Sequence, residues 1–189
     1  SGKTGRHCPD PAIGARAEAS ARILWPMLDP ADLDRYEPAW MGATLAALEP
    51  HFADSTRLAS AYVREYRNAE GAAATTLGVV AWDQRYMTEN LHLAGPVRVK
   101  LLVKGGMTGA GAAGAALTKF GGIARRGVMS GGRMMINETA VRDRSVTGWR
   151  RVTDGDPCTF CAMLSARGPV YGKNTALTTG EGLRYHGHC

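Results

Sequence analysis

Two couplets near the end of the chain constrain its fold more than any other feature of the 189 residues. Cys158 and Cys161 form a CxxC, and after twenty-four intervening residues His186 and Cys189 form an HxxC. A CxxC turn brings two thiolates within reach of one small ion, and an HxxC supplies the second pair of a tetrahedral set. Cys158 follows closely on the Asp154-Gly155 turn, the tight local geometry that such a knuckle needs. The mixture of sulfur and imidazole suits zinc, and four protein ligands leave no open position for water, so the ion expected here is structural. HxxC spacing favours His186, whereas His188, adjacent to Cys189, would point away or support the set from outside. Residues 149–189 hold few large apolar side chains and cannot build a core of their own. A zinc ion would supply such a segment with on the order of 10 kcal/mol of apparent binding free energy. Three other readings of the same residues stand beside this one: a thiol cluster without metal, a redox-active CxxC, and disulfides. The redox reading wants a thioredoxin-like βαβ context that the sequence lacks, and the disulfide reading suits an oxidising compartment.

Upstream, the pattern is helical. Residues 12–27 carry Ile13, Ile23, Leu24 and Met27 in an Ala-rich run that Pro26 should end. Asp29-Pro30 reads as a helix start, and Leu33, Tyr36, Trp40, Thr44 and Leu48 fall on one stripe. Pro38 sits inside that stripe, which argues for a start nearer Glu37. Asp54 or Ser55 should cap a second helix with Leu58, Tyr62 and Tyr66 along one face, ended by residues 68–71. Asp83 should cap a third, and Gly95-Pro96 is a break. Residues 97–103, VRVKLLV, fit a strand or the first turns of a helix. Gly131-Gly132 should precede a last long helical run, 134–144. Short extended pieces are expected at 149–152 and around Val170-Tyr171. The expected architecture is mainly α with a small irregular α+β C-terminal module like a zinc knuckle. Its parts are a helical docking region (1–95), a Gly/Ala-rich basic helical region (96–148) and the CxxC…HxxC module (149–189).

Charge divides the chain in the same way. Nine basic and twelve acidic side chains give residues 1–95 a net −3, whereas fourteen and five give residues 96–189 a net +9. A basic half meets polyanions favourably through counterion release, and nucleic acid is the commonest polyanion. Arg125, Arg126, Arg133, Arg142, Arg144, Arg150 and Arg151 are the candidate contacts, either to nucleic acid or to a neighbouring subunit. No stretch approaches the roughly 20 apolar residues of a membrane span, and no signal peptide is expected.

Three motifs are decoys. Residues 109–114 match GxGxxG, but no buried strand precedes them and no βαβ unit follows, so a closely packed Ala/Gly-rich helix or a loop is the better reading. Ser1-Gly2-Lys3-Thr4 lacks the upstream glycine and strand of a phosphate-binding loop. Ser130 stands in GVMSGG, which is not the GxSxG elbow, and a glycine-flanked helix start explains it. No HExxH is present and no catalytic residue is assigned.

The run GWRRVTDGDPCTFCAMLSARGPVY, followed by YHGHC, resembles the C-terminal region of actinobacteriophage MuF-like head proteins. These are minor capsid proteins similar to protein F of phage Mu. Their pattern is an arginine-rich strand, an Asp-Gly turn, a CxxC, a Gly-x-Val-Tyr strand and an HxxC, often extended to HxxCxC. Cys158, Cys161, His186 and Cys189 match it position by position over residues 148–189. The resemblance implies a head-morphogenesis protein, assembled in the bacterial host cytoplasm and held inside the capsid of the virion near the portal. Its implied partners are the portal protein, the major capsid protein and packaged double-stranded DNA. Some relatives carry the label capsid maturation protease, which makes a protease one alternative; a DNA-binding or nuclease-like module using the arginines is the other.

Overall fold

The computed structural model describes residues 11–149, 159–166 and 171–172, and it is mainly helical. In chain order the elements are α1 (Pro11–Leu24), a 3-10 turn (Trp25–Met27), α2 (Leu33–Ala69), α3 (Gln84–Ala94), α4 (Pro96–Lys104), α5 (Gly109–Arg142), β1 (Gly148–Trp149), α6 (Thr159–Ala166) and β2 (Tyr171–Gly172). The fold divides into two compact units. The first takes Asp10–Ser55 and Ala81–Gly131; the second takes Thr56–Val80 and the described part of Gly132–Cys189.

In the first unit the core is an aromatic triad. Trp40 and Phe120 are fully buried and Trp25 nearly so, with ring centroids 4.9, 5.1 and 5.8 Å apart. Such tilted and edge-on pairs add roughly 0.5–1.5 kcal/mol each beyond area burial. Around them, α1 buries Ile13, Ala17 and Ala21, α2 buries Leu33, Thr44, Leu45 and Leu48, and α3 and α4 bury Met87, Leu91 and Val99. The expected stripe is therefore the buried face of α2, except that Tyr36 lies exposed at its edge.

Three expectations about helix ends are corrected, the first being the start of α2, which lies at Leu33 and neither at Asp29-Pro30 nor nearer Glu37. The helix beginning at Leu33 is a single 37-residue α2 that runs through Pro38, Pro50, Asp54 and Ser55, so no new helix starts at 54–55. Both prolines face solvent, where water can take the carbonyls that their missing N–H groups leave over. Residues 109–142 likewise form a single α5, with Gly131-Gly132 inside it and no helix start there. Gly121 and Gly127 are contact points, whereas Gly114 and Gly122 face open space. A Cβ on Gly121 would come within 3.0 Å of Glu18, and one on Gly127 within 2.3 Å of the Met87 sulfur. Ala112, Ala116 and Ala124 are buried along the same helix. The GxGxxG run is thus the start of a packed helix.

The remaining ends follow the sequence closely. Asp83 Oδ1 accepts the Tyr86 amide at 2.9 Å and caps α3. Residues 97–103 are helical, within α4. Gly95 separates α3 from α4; a Cβ there would lie 2.9 Å from the Trp40 ring and 3.0 Å from the Leu91 carbonyl. Gly71, at φ 65°, ends α2, with the Ala72 amide donating to Arg67 O and the Gly71 amide to Asn68 O. That pair of bonds is a Schellman motif, which satisfies carbonyls left over at the helix end.

Candidate metal centre, basic helix and polar latch

Of the four expected zinc ligands, Cys161 lies on α6 (Thr159–Ala166). Cys158, His186 and Cys189 fall outside the described residues, as do Arg150 and Arg151. The strand expected at 149–152 is described only as β1, whose Gly148 and Trp149 pair antiparallel with Gly172 and Tyr171 of β2. This two-rung ladder closes a loop of chain that contains α6 and the CxxC. The helix α6 has no expectation to match in the sequence, since Ala162, Met163, Leu164 and Ala166 favour helix while Thr159, Phe160, Cys161 and Ser165 do not. Among the described residues no cluster of His, Cys, Asp and Glu is arranged to hold a metal ion. Nor is any described helix long and apolar enough to cross a membrane.

The arginines of α5 have unequal settings. Arg125 is half-buried with its stem over α1, since a Cβ on Gly14 would meet its Cγ at 3.0 Å. Part of its surface is therefore spent on packing. Arg126 and Arg133 are half-buried, and Arg142 pairs with Glu138 one turn earlier at 3.3 Å. Arg144 is exposed in the turn after α5. Ser130, the decoy nucleophile, lies in mid-helix and donates its hydroxyl proton to the Gly127 carbonyl at 2.6 Å. Ser20 Oγ lies 3.2 Å from Nε2 of His51 and links α1 to α2, a contact with no local signature because its partners are 31 positions apart.

The second unit holds a polar latch that sequence reasoning missed. Arg67 donates from Nε to the Ala73 carbonyl at 2.7 Å and forms an ion pair with Asp143, and both side chains are largely shielded from solvent. Asp143 also accepts the Ser145 amide at 2.8 Å and its hydroxyl at 2.6 Å. These two Ser145 bonds hold the Asp143 carboxyl below its ordinary pKa; partial burial opposes them, and the Thr75 hydroxyl and the Arg67 charge add to them. Beneath the latch, buried Thr139 accepts the amide of buried Gly78 at 2.9 Å and donates to the Met135 carbonyl at 2.8 Å. Gly78 has to be glycine here, because a Cβ would fall 2.4 Å from that of Glu138. The latch thus clips residues 72–80 onto the end of α5. Its signal in sequence is nil, because the partners are 61 and 76 positions apart.

Compared with known families, residues 10–189 match the family described as VG15 protein. No curated protein and no solved structure matches the chain. A match over nearly the whole length, covering the helical units and the cysteine-bearing tail alike, makes this chain a member of the VG15 family of phage gene products.

Proposed function

We propose that this phage protein is a minor capsid protein of the MuF-like kind, acting in head assembly inside the capsid near the portal. On this reading it is assembled in the host cytoplasm and packaged into the virion. The helices of the acidic half dock on the portal protein or the major capsid protein, and the basic half faces packaged double-stranded DNA. The observation that carries the reading is the ordered series of arginine pair, Asp-Gly turn, CxxC, Val-Tyr and HxxC within a chain that the VG15 family matches from residue 10 to 189.

The tail module has a structural part in this proposal. Cys158, Cys161, His186 and Cys189 would hold zinc, and three thiolates with one imidazole are a donor set suited to that ion. When bound, the ion would tie the two couplets together and supply the cohesion that the segment's sparse apolar side chains do not. The β1–β2 rungs and α6 are the protein's own contribution to the same end, because the rungs set Gly148 and Trp149 beside Gly172 and Tyr171, on either side in sequence of the CxxC.

Two measurements test the proposal. Protein composition of purified phage heads, before and after DNA ejection, should contain the chain in filled heads, while its absence from filled heads would overturn the capsid role. Elemental analysis of the purified chain should find zinc in equimolar amount; a metal-free chain that still folds its tail would remove the zinc part.

A further inference from the structure

We infer that the chain self-associates through one face of its first unit, where an acidic apolar groove and a basic apolar ridge adjoin. The groove is lined by Trp25, Pro26, Met27, Leu28, Tyr36 and Ala113, with Asp29 at its edge. Met27 and Tyr36 are exposed although apolar. Residues 25–36 carry Asp29, Asp32 and Asp34 against one basic side chain, Arg35, whose guanidinium lies over the Tyr36 ring, 5.6 Å from its centroid. The ridge is α4, whose buried side is Pro96 and Val99 and whose outward side chains include Arg98, Lys100, Leu101 and Lys104. Leu101 is 58% exposed, and Leu93, just before the Gly95 break, is 60% exposed. Residues 96–108 carry three basic side chains and no acidic one.

The two surfaces are neighbours, because Lys100 of α4 bonds Asp34 at the start of α2, two residues from Tyr36 of the groove. That ion pair uses one charge from each side. Among the described residues, Asp32, Arg98 and Lys104 make no ion pair, and the Asp29 carboxylate accepts the Ala31 amide without pairing a cation. A single molecule therefore presents an apolar groove with an acidic edge and, beside it, a basic helix face, each with exposed apolar side chains that water solvates poorly. Contiguous exposed apolar side chains with a charged rim mark an interaction surface. A second copy of this chain supplies the complement to both halves at once, the self-matching arrangement on which symmetric dimers are built. The unused charges set which surfaces meet, and the leucines and the groove supply the area.

Sedimentation velocity on the full chain tests the inference. The wild-type chain should associate as concentration rises, and less so at high salt. Leu101→Glu should abolish association while circular dichroism and the melting curve stay unchanged, because Leu101 belongs to no core. Asp32→Lys and Lys104→Glu, each alone, should weaken association about tenfold or more, since like charges then oppose each other across the contact. An equimolar mixture of those two variants should recover it, because the reversed groove of one meets the reversed ridge of the other and the native halves also meet. Wild-type chain that stays monomeric at every concentration overturns the inference. So does association untouched by Leu101→Glu, or a mixture no more associated than its parts. A monomeric chain that instead cosediments with anionic lipid vesicles would give the ridge to a membrane surface.

Discussion

Replacing Thr139 by Val isolates one atom of the latch. The two side chains have nearly the same shape, so the change deletes the hydroxyl and leaves no void. In the wild type that hydroxyl accepts the Gly78 amide at 2.9 Å, and both residues are buried. The variant leaves the Gly78 N–H facing a methyl group with no water to replace its partner. An unsatisfied buried donor costs about 1–3 kcal/mol, which is roughly 5- to 150-fold in the equilibrium for opening residues 72–80. The loss should be local, since helix packing elsewhere in the second unit is unaffected. Hydrogen exchange read at the Gly78 amide should therefore accelerate by that factor, whereas amides in the middle of α5 should change less. Thr139→Ser, which keeps the oxygen, should restore most of the protection. Unchanged exchange at Gly78 in the Val variant would refute the reasoning, because the bond would then contribute nothing to holding the segment down.

Phe120→Ala removes the ring that touches both Trp25 and Trp40 and should cost about 3–5 kcal/mol, lowering the melting temperature by roughly 10 °C and altering tryptophan fluorescence. Gly95→Ala should destabilise by about 1–3 kcal/mol in denaturant melts, because its methyl group would press on the Trp40 ring and the Leu91 carbonyl. Asp143 has its pKa lowered in the folded chain, so its contribution to stability is complete above about pH 4 and fades as pH falls through the lower folded value. Asp143→Asn should be less stable than wild type at neutral pH, and that gap should close in acid; a gap that is constant with pH would refute the linkage. Under the zinc proposal, Cys161→Ser or a strong chelator should expose residues 149–189 to limited proteolysis while leaving the helical circular dichroism largely intact.

Much of the helical body was legible because local chemistry and tertiary packing agree there. Asp83 has the side chain, the position and the following helical run that an N-cap needs, and it caps α3. Gly71 follows the last helical run of α2 and adopts the left-handed conformation of a C-terminal stop. The buried stripe Leu33–Trp40–Thr44–Leu48 recurs at helical spacing, so period alone found the face that meets the aromatic core. The unread features are those where a local preference loses to a distant partner. Interior proline and glycine each weigh against helix, glycine by about 1 kcal/mol relative to alanine. Pro38 and the pair Gly131-Gly132 thus read as boundaries, yet α2 and α5 run through them. At Gly121 and Gly127 the reason is visible in Glu18 and Met87, which occupy the space that a side chain would need.

The same distinction separates the candidate sites. A metal couplet is legible because two of its ligands are local to each other, so spacing carries the chemistry even before any fold is known. A latch such as Arg67–Asp143, with Thr139 on Gly78, has no local signature; each residue alone is an ordinary helix or turn residue, and only the fold makes them partners. Surfaces fall between the two. The charge of residues 25–36 and of residues 96–108 could be counted from sequence, but each segment alone suggests only a solvated stretch. What turns them into a matched pair is the Asp34–Lys100 contact, which sets acid beside base on one unit and leaves Asp32, Arg98 and Lys104 over. Binding surfaces of this kind are read from charge that the fold brings together without neutralising, because such charge is solvated among the described residues and open to pairing by a second molecule.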